Sequence, residues 1–170
     1  EENWLPNNLK CDLTIVPLQN WTHQTEYILP IPPSPNLPNQ LSIYLYPHLC
    51  FFEGTDISLG RGTEFPFQLY GHPKYSDKTF SFTPISIPGK SSNPPQLDKK
   101  CYGVDLTTMS TDKLLKMTDI NLFWLCDAYA KTPVDTFFTA IPFFNLLAGN
   151  NTLIAQVKNK ITPEKIQESW

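Results

Sequence analysis

Seventeen of the 170 residues are proline, against seven glycines. Each proline fixes its own φ near −65° and removes a backbone donor, so it is excluded from helix interiors and central strands except at a cost. Such a chain must break into short elements joined by stiff, extended connections. The stretch PIPPSPNLPN, residues 30–39, concentrates the effect and is incompatible with helix or central strand. It reads either as a stiff linker or as a rigid wall between two apolar segments of one small domain.

Between these breaks the pattern predicts elements of both kinds. Cys11–Val16 (CDLTIV) is a short β-branched run ended by Pro17, expected as a buried strand. The polar-aromatic QNWTHQTEY that follows is expected as a loop. LSIYLYPHLCFF is apolar on every side and predicts a buried helix that ends or kinks at Pro47. Residues 65–72 and 79–87 alternate like strands, PGKSSNPPQLDKK is turn-rich, and CYGVDL (101–106) is a third strand candidate. Leu122, Leu125, Cys126 and Tyr129 share one helical face, as do Leu153, Ile154 and Val157. Thr162 and Pro163 then open a further helix expected to run past Trp170. The sum is an α+β (mixed α/β) chain, 1–170 as one domain, with strands early and amphipathic helices late.

Composition narrows the function. With 41% apolar residues the chain is of globular type, and a net charge of −3 with scattered cations gives no footprint for nucleic acid. No apolar run reaches the length of a membrane span. Cys11, Cys50, Cys101 and Cys126 lack metal-ligand spacing, as do His23, His48 and His72, so neither metal nor cofactor is expected. The cysteines next to apolar runs (Cys11, Cys50, Cys126) are expected to be buried free thiols. Asn20-Trp21-Thr22 matches the glycosylation acceptor pattern, meaningful only in a secretory context. Both chain ends look cut, since EENWLP carries neither Met nor leader and the last helix pattern is open.

The chemistry gathers in FFEGTDISLGRGTEF, residues 51–65. Arg61 is the only arginine, set between Gly60 and Gly62, while the other twelve cations are lysine. A guanidinium presents a flat fork of donors suited to a carboxylate or vicinal hydroxyls. Glu53, Thr55, Ser58 and Thr63 add a carboxylate and three hydroxyls nearby. No phosphate-binding glycine loop is present. Two readings stay open: a ligand site, or a Glu53–Arg61 pair that pins a loop.

CDLTIVPLQNW, IPPSPNLPN, YPHLCFFEGTDISLGRGTEFPFQLYGHP, FSFTPISIPGKSSNPP and KCYGVDL, in this order, resemble the bacterial exo-β-N-acetylmuramidase (NamZ-like) family, once catalogued as a domain of unknown function. NLFWLCDAYAKT and FFNLLAGNNTL resemble its C-terminal tail, and the spellings FFEGT, YGHP and FSFTP look most like Bacteroides-type versions. The resemblance covers nearly the whole chain and rests chiefly on E-G-T-x-x-S-x-G-R-G-T and P-P-S-P-N. It implies an exported two-domain hydrolase that releases N-acetylmuramic acid from non-reducing ends of peptidoglycan fragments. A Rossmann-like N-terminal domain would precede this one, with the active site in the cleft between them. Arg61, Thr55, Ser58, Thr63, Ser34 and Asn36 are then the expected substrate contacts. Glu53 is the candidate catalytic carboxylate, although the principal one is expected in the other domain. Many relatives carry a second arginine where this chain has Glu64 and Phe65, which puts substrate preference in question. The rival readings are a non-catalytic carbohydrate-binding or interaction module and a hydrolase acting on another glycan.

Overall fold

The computed structural model describes residues 6–170. After an irregular segment, the chain enters α1 (Gln40–Leu49), whose start is fixed by Asn39. The Asn39 Oδ1 accepts the Ser42 N–H at 2.9 Å and the Ser42 Oγ accepts the Asn39 N–H at 3.3 Å. This reciprocal box satisfies two donors that a helix start otherwise leaves orphaned. Pro47 lies inside the helix, which ends two residues beyond it at Leu49. The missing N–H falls near the C-terminal end, where α1 tightens into a 3-10 turn at Cys50–Gly54.

Three short strands follow: β1 (Leu69–His72), β2 (Ser81–Phe82) and β3 (Cys101–Asp105), in the order β1-β3-β2, all antiparallel. The strand-like stretches 65–72 and 79–87 thus yield only four and two residues of strand, since prolines 66, 84 and 88 bound them. Gly71 faces Gly103 across β1 and β3. A Cβ on Gly103 would stand 1.9 Å from the Tyr70 carbonyl oxygen, so the two backbones approach only because neither residue has a side chain.

The helices come last: α2 (Thr111–Leu115), α3 (Phe123–Lys131), α4 (Ile141–Ala148), α5 (Leu153–Lys158) and α6 (Pro163–Gln167). The sequence pattern missed α2 and α4. In α4 the apolar residues run all round (IPFFNLLA), which hides the periodicity. Thr162 caps α6 as expected, but the helix stops at Gln167 instead of continuing past Trp170. Leu125, Leu153 and Ile166 on these helices are fully buried together with Leu45, Leu49 and Phe51. The architecture is mixed α+β, and no helix is long and apolar enough to cross a membrane.

Two expectations fail at the N-terminal side. Cys11–Val16 is no buried strand: it is exposed and unpaired, because among the described residues no neighbouring strand lies beside it. Cys11 is accordingly exposed, and Cys50 and Cys126 are half-buried. The fully buried thiol is Cys101 on β3, pushed up to about 12 by burial and therefore inert near neutral pH. All four are free.

Phe144 is the hinge of the packing. It is fully buried, crosses Phe138 edge-on with ring centres 5.0 Å apart, and meets Phe51 at 6.1 Å. We expect Phe144→Ala to lower the unfolding free energy by about 3–5 kcal/mol in urea titration. Phe143→Ala, one residue away and 45% exposed, should cost less than about 1 kcal/mol.

Candidate functional site

Residues 55–59 form an extended strip, followed by a turn at 60–63, and backbone bonds hold the stretch on both sides. On one side the Asp56 N–H donates to the Phe137 carbonyl at 2.8 Å, and Thr55 bridges Phe138. On the other, Ser58 and Gly71 exchange bonds of 2.8 and 2.9 Å, the Phe67 N–H reaches the Leu59 carbonyl, and the Ile85 N–H reaches Gly62. Gly60 and Gly62 have φ of +70° and +81°, the left-handed conformation that side chains disfavour. They turn the strip at Arg61 and account for the two glycines around it.

Extended backbone alternates its side chains. Thr55, Ile57 and Leu59 therefore share a side, the glycine turn brings Arg61 to it, and with Glu53, Phe52, Pro95 and Phe143 they line a concavity of about 250 Å³. Its floor is apolar, and its polar end is a direct ion pair between Arg61 Nη2 and Glu53 Oε1. The side chain of Glu53 is 17% exposed and that of Arg61 35%. The guanidinium also lies 5.2 Å from the centre of the Phe67 ring, a favourable cation–π placement. Its Nε is buried without a partner among the described residues, so the pair leaves part of the fork's donor capacity unused. Tyr46 stands close by, and burial together with the Glu53 carboxylate raises its phenol above the usual value.

The remaining sequence candidates occupy different places. The Thr55 hydroxyl lines the concavity but donates to the Phe52 carbonyl at 2.7 Å and accepts the Ile57 N–H. Thr63 likewise serves its own turn, donating to Gly60 at 2.7 Å and accepting the Phe65 N–H at 3.0 Å. Ser58 is fully buried and its Oγ has no partner among the described residues. Ser34 and Asn36 form a turn in the proline-rich stretch, which Asn36 ties to the Lys90 carbonyl at 3.2 Å. Neither lines the concavity. Glu53, Thr55 and Arg61 are thus brought together. Phe143 and Pro95 join them from distant sequence, and no local pattern marks either residue.

Asp56 points to the opposite side, into a second concavity of about 410 Å³ shared with His72, Lys74, Gln96, Lys99 and Asp135. Its Oδ1 accepts from Gln96 Nε2 at 2.7 Å, and its Oδ2 lies 3.1 Å from His72 Nε2. The Lys74 N–H donates to His72 Nδ1 at 3.0 Å. That nitrogen is therefore unprotonated, and the proton sits on Nε2 facing Asp56. Both ring nitrogens are committed, which makes His72 an anchor for Asp56 rather than a base. Among the described residues no group of three or more His, Cys, Asp or Glu is placed to hold a metal.

His72 and His48 are both pulled below the usual imidazole value, chiefly by burial. For His72 the Asp56 carboxylate opposes the shift only in part. His48 Nδ1 accepts the Asn121 N–H at 2.9 Å and packs edge-on to Trp124. The unfolded chain takes up these protons near pH 6.5 while the fold resists them, so stability is present above that value and lost as pH falls below it. The melting temperature should fall between pH 7 and 5, and His48→Gln should make that fall shallower in pH-resolved thermal unfolding.

Residues 44–170 match the family described as "Exo-beta-N-acetylmuramidase NamZ, C-terminal". The chain is 30% identical over 177 aligned positions to the peptidoglycan β-N-acetylmuramidase NamZ of Bacillus subtilis, covering 96% of this chain and 42% of that protein. A solved DUF1343 family protein of Bacteroides fragilis is 50% identical with a TM-score of 0.90, over 99% of this chain and 47% of that one. A second B. fragilis DUF1343 protein, 17% identical with a TM-score of 0.62 over 82% of this chain and 40% of its own, shares the fold. The chain thus spans less than half the length of these relatives. By sequence and fold, it belongs to the NamZ C-terminal family, whose relatives include a peptidoglycan-acting glycoside hydrolase.

Proposed function

We propose that residues 1–170 are one C-terminal domain of an exo-acting glycoside hydrolase that releases N-acetylmuramic acid from non-reducing ends of peptidoglycan fragments. Its concavity would form one wall of a cleft completed by a Rossmann-like N-terminal domain. On this reading the protein acts outside the cytoplasmic membrane, where peptidoglycan lies. The observation that carries the proposal is the concavity itself, an apolar floor ending in a partly exposed guanidinium. A muramic acid residue has matching features: C–H faces for Phe143 and Leu59, and a lactyl carboxylate for Arg61.

Glu53 then acts mainly by holding Arg61. It is the one carboxylate among the lining residues, and it is already paired. Hydrolysis of a glycoside ordinarily uses two carboxylates, or one with help from the substrate's N-acetyl group. This favours a binding role for the present wall, with the general acid supplied across the cleft. The same observation supports the rival reading, a carbohydrate-binding module without catalysis of its own. Thr63 shapes the turn that presents Arg61 on either reading.

Arg61→Lys in the full-length protein separates these roles. Lysine keeps the charge but loses the fork. KM for a chromogenic N-acetylmuramic acid glycoside should rise about 10- to 100-fold, with kcat changing less than about threefold. An N-acetylglucosamine glycoside, which lacks the lactyl carboxylate, should show no comparable change in KM. Unchanged kinetics with a lower melting temperature would make Arg61 a structural pin only. Absence of muramidase activity in the wild-type full-length protein would point to another glycan.

A further inference from the structure

The segment 9–31 runs outside the packed body. Leu13, Ile15, Val16 and Leu18 are 70, 76, 86 and 74% exposed, although their sequence has the character of a buried strand. Among the described residues, the main chain of residues 10–21 makes no hydrogen bond. The segment's ties to α1 are two bonds through one side chain: the Leu29 N–H to Gln40 Oε1 at 3.3 Å, and Gln40 Nε2 to the Tyr27 carbonyl at 3.4 Å. In extended form, Cys11, Leu13 and Ile15 share a wholly apolar face, and Pro17 ends the run where a donor is no longer available. Unpaired backbone next to a stripe of aliphatic side chains is what a strand offers when it adds to another sheet.

Two comparisons indicate what covers it. The NamZ C-terminal match begins only at residue 44, so the segment lies outside that family unit. Yet the B. fragilis relative aligns over 99% of this chain at a TM-score of 0.90, so the alignment includes the segment. That relative is more than twice as long, since this chain covers 47% of it. An apolar, β-branched segment that the relative shares, and that the body here leaves exposed and unpaired, calls for support from the remaining part.

We propose that residues 11–16 form a strand that pairs with the edge of a β-sheet in the part of the full-length protein outside these 170 residues. Leu13 and Ile15 would seal onto that part's apolar core, and residues 17–39 would form the connection between the two units. This inference does not depend on what the concavity binds, and loss of muramidase activity has no bearing on it.

The test is hydrogen exchange on the full-length protein. Amides 12–16 should exchange more than about tenfold slower than an unstructured reference, and equally so across a dilution series. Thr14→Pro removes one donor from the ladder and should return its neighbours to unprotected rates, while amides of Leu45 and Leu125 stay protected. If that variant does not fold, the wild-type measurement decides alone. Protection of less than about tenfold would overturn the proposal. So would protection lost on dilution, which would identify a second copy of the chain as the occupant.

Discussion

Gly54 has no side chain, and the concavity depends on that. A Cβ there would stand 2.6 Å from the Phe144 Cβ, so the 3-10 turn and α4 could not close on each other. The Gly54 carbonyl also accepts the N–H groups of Thr139 and Ala140, at 3.1 and 3.2 Å. One residue therefore joins the end of the 3-10 turn to the start of α4. This contact sets Glu53, the preceding residue, on the same concavity as Phe143, the residue before Phe144. The buried aromatic cluster of Phe51, Phe138 and Phe144 stabilises the arrangement, and the site lies on its rim.

The lone arginine fits the same frame. Its two flanking glycines serve the backbone rather than a ligand, since both hold positive φ and a Cβ on Gly62 would stand 2.4 Å from the Ile85 carbonyl oxygen. Arg61 is both paired and partly open. A loop-pinning ion pair and a ligand-reading guanidinium are compatible when the partner carboxylate occupies one edge of the fork. A lysine could make the first contact but would leave no second edge.

Much of the fold was legible in the chain. The helix at 123–131 follows from periodicity, the strand at 101–105 lies within the short candidate CYGVDL, and the Asn39 and Thr162 starts are consistent with capping chemistry. The errors have physical sources. Helix α4 is apolar on every face, so no stripe distinguishes it. The CDLTIV run has strand chemistry without a strand beside it, because β pairing is a property of two segments and local composition describes one. Within 51–65 the residue types suggested a polar wall, but Thr55, Ser58 and Thr63 direct their polar groups into the fold rather than outward.

The order of residues fixes what each local segment can do. Prolines limit element length, Asn39 and Thr162 set helix starts, and glycines 60 and 62 permit the turn that presents Arg61. The E-G-T-x-x-S-x-G-R-G-T string carries the family membership. Local sequence pattern does not reveal distance between segments. That Phe143 and Pro95 would floor the site, that Asp56 would face away from Glu53 toward His72 and Gln96, and that Ser58 would be sealed inside all depend on how α4 and the 94–98 turn pack against one extended strip. Packing joins residues far apart in the chain through shape and burial, and no local pattern records which pairs will meet.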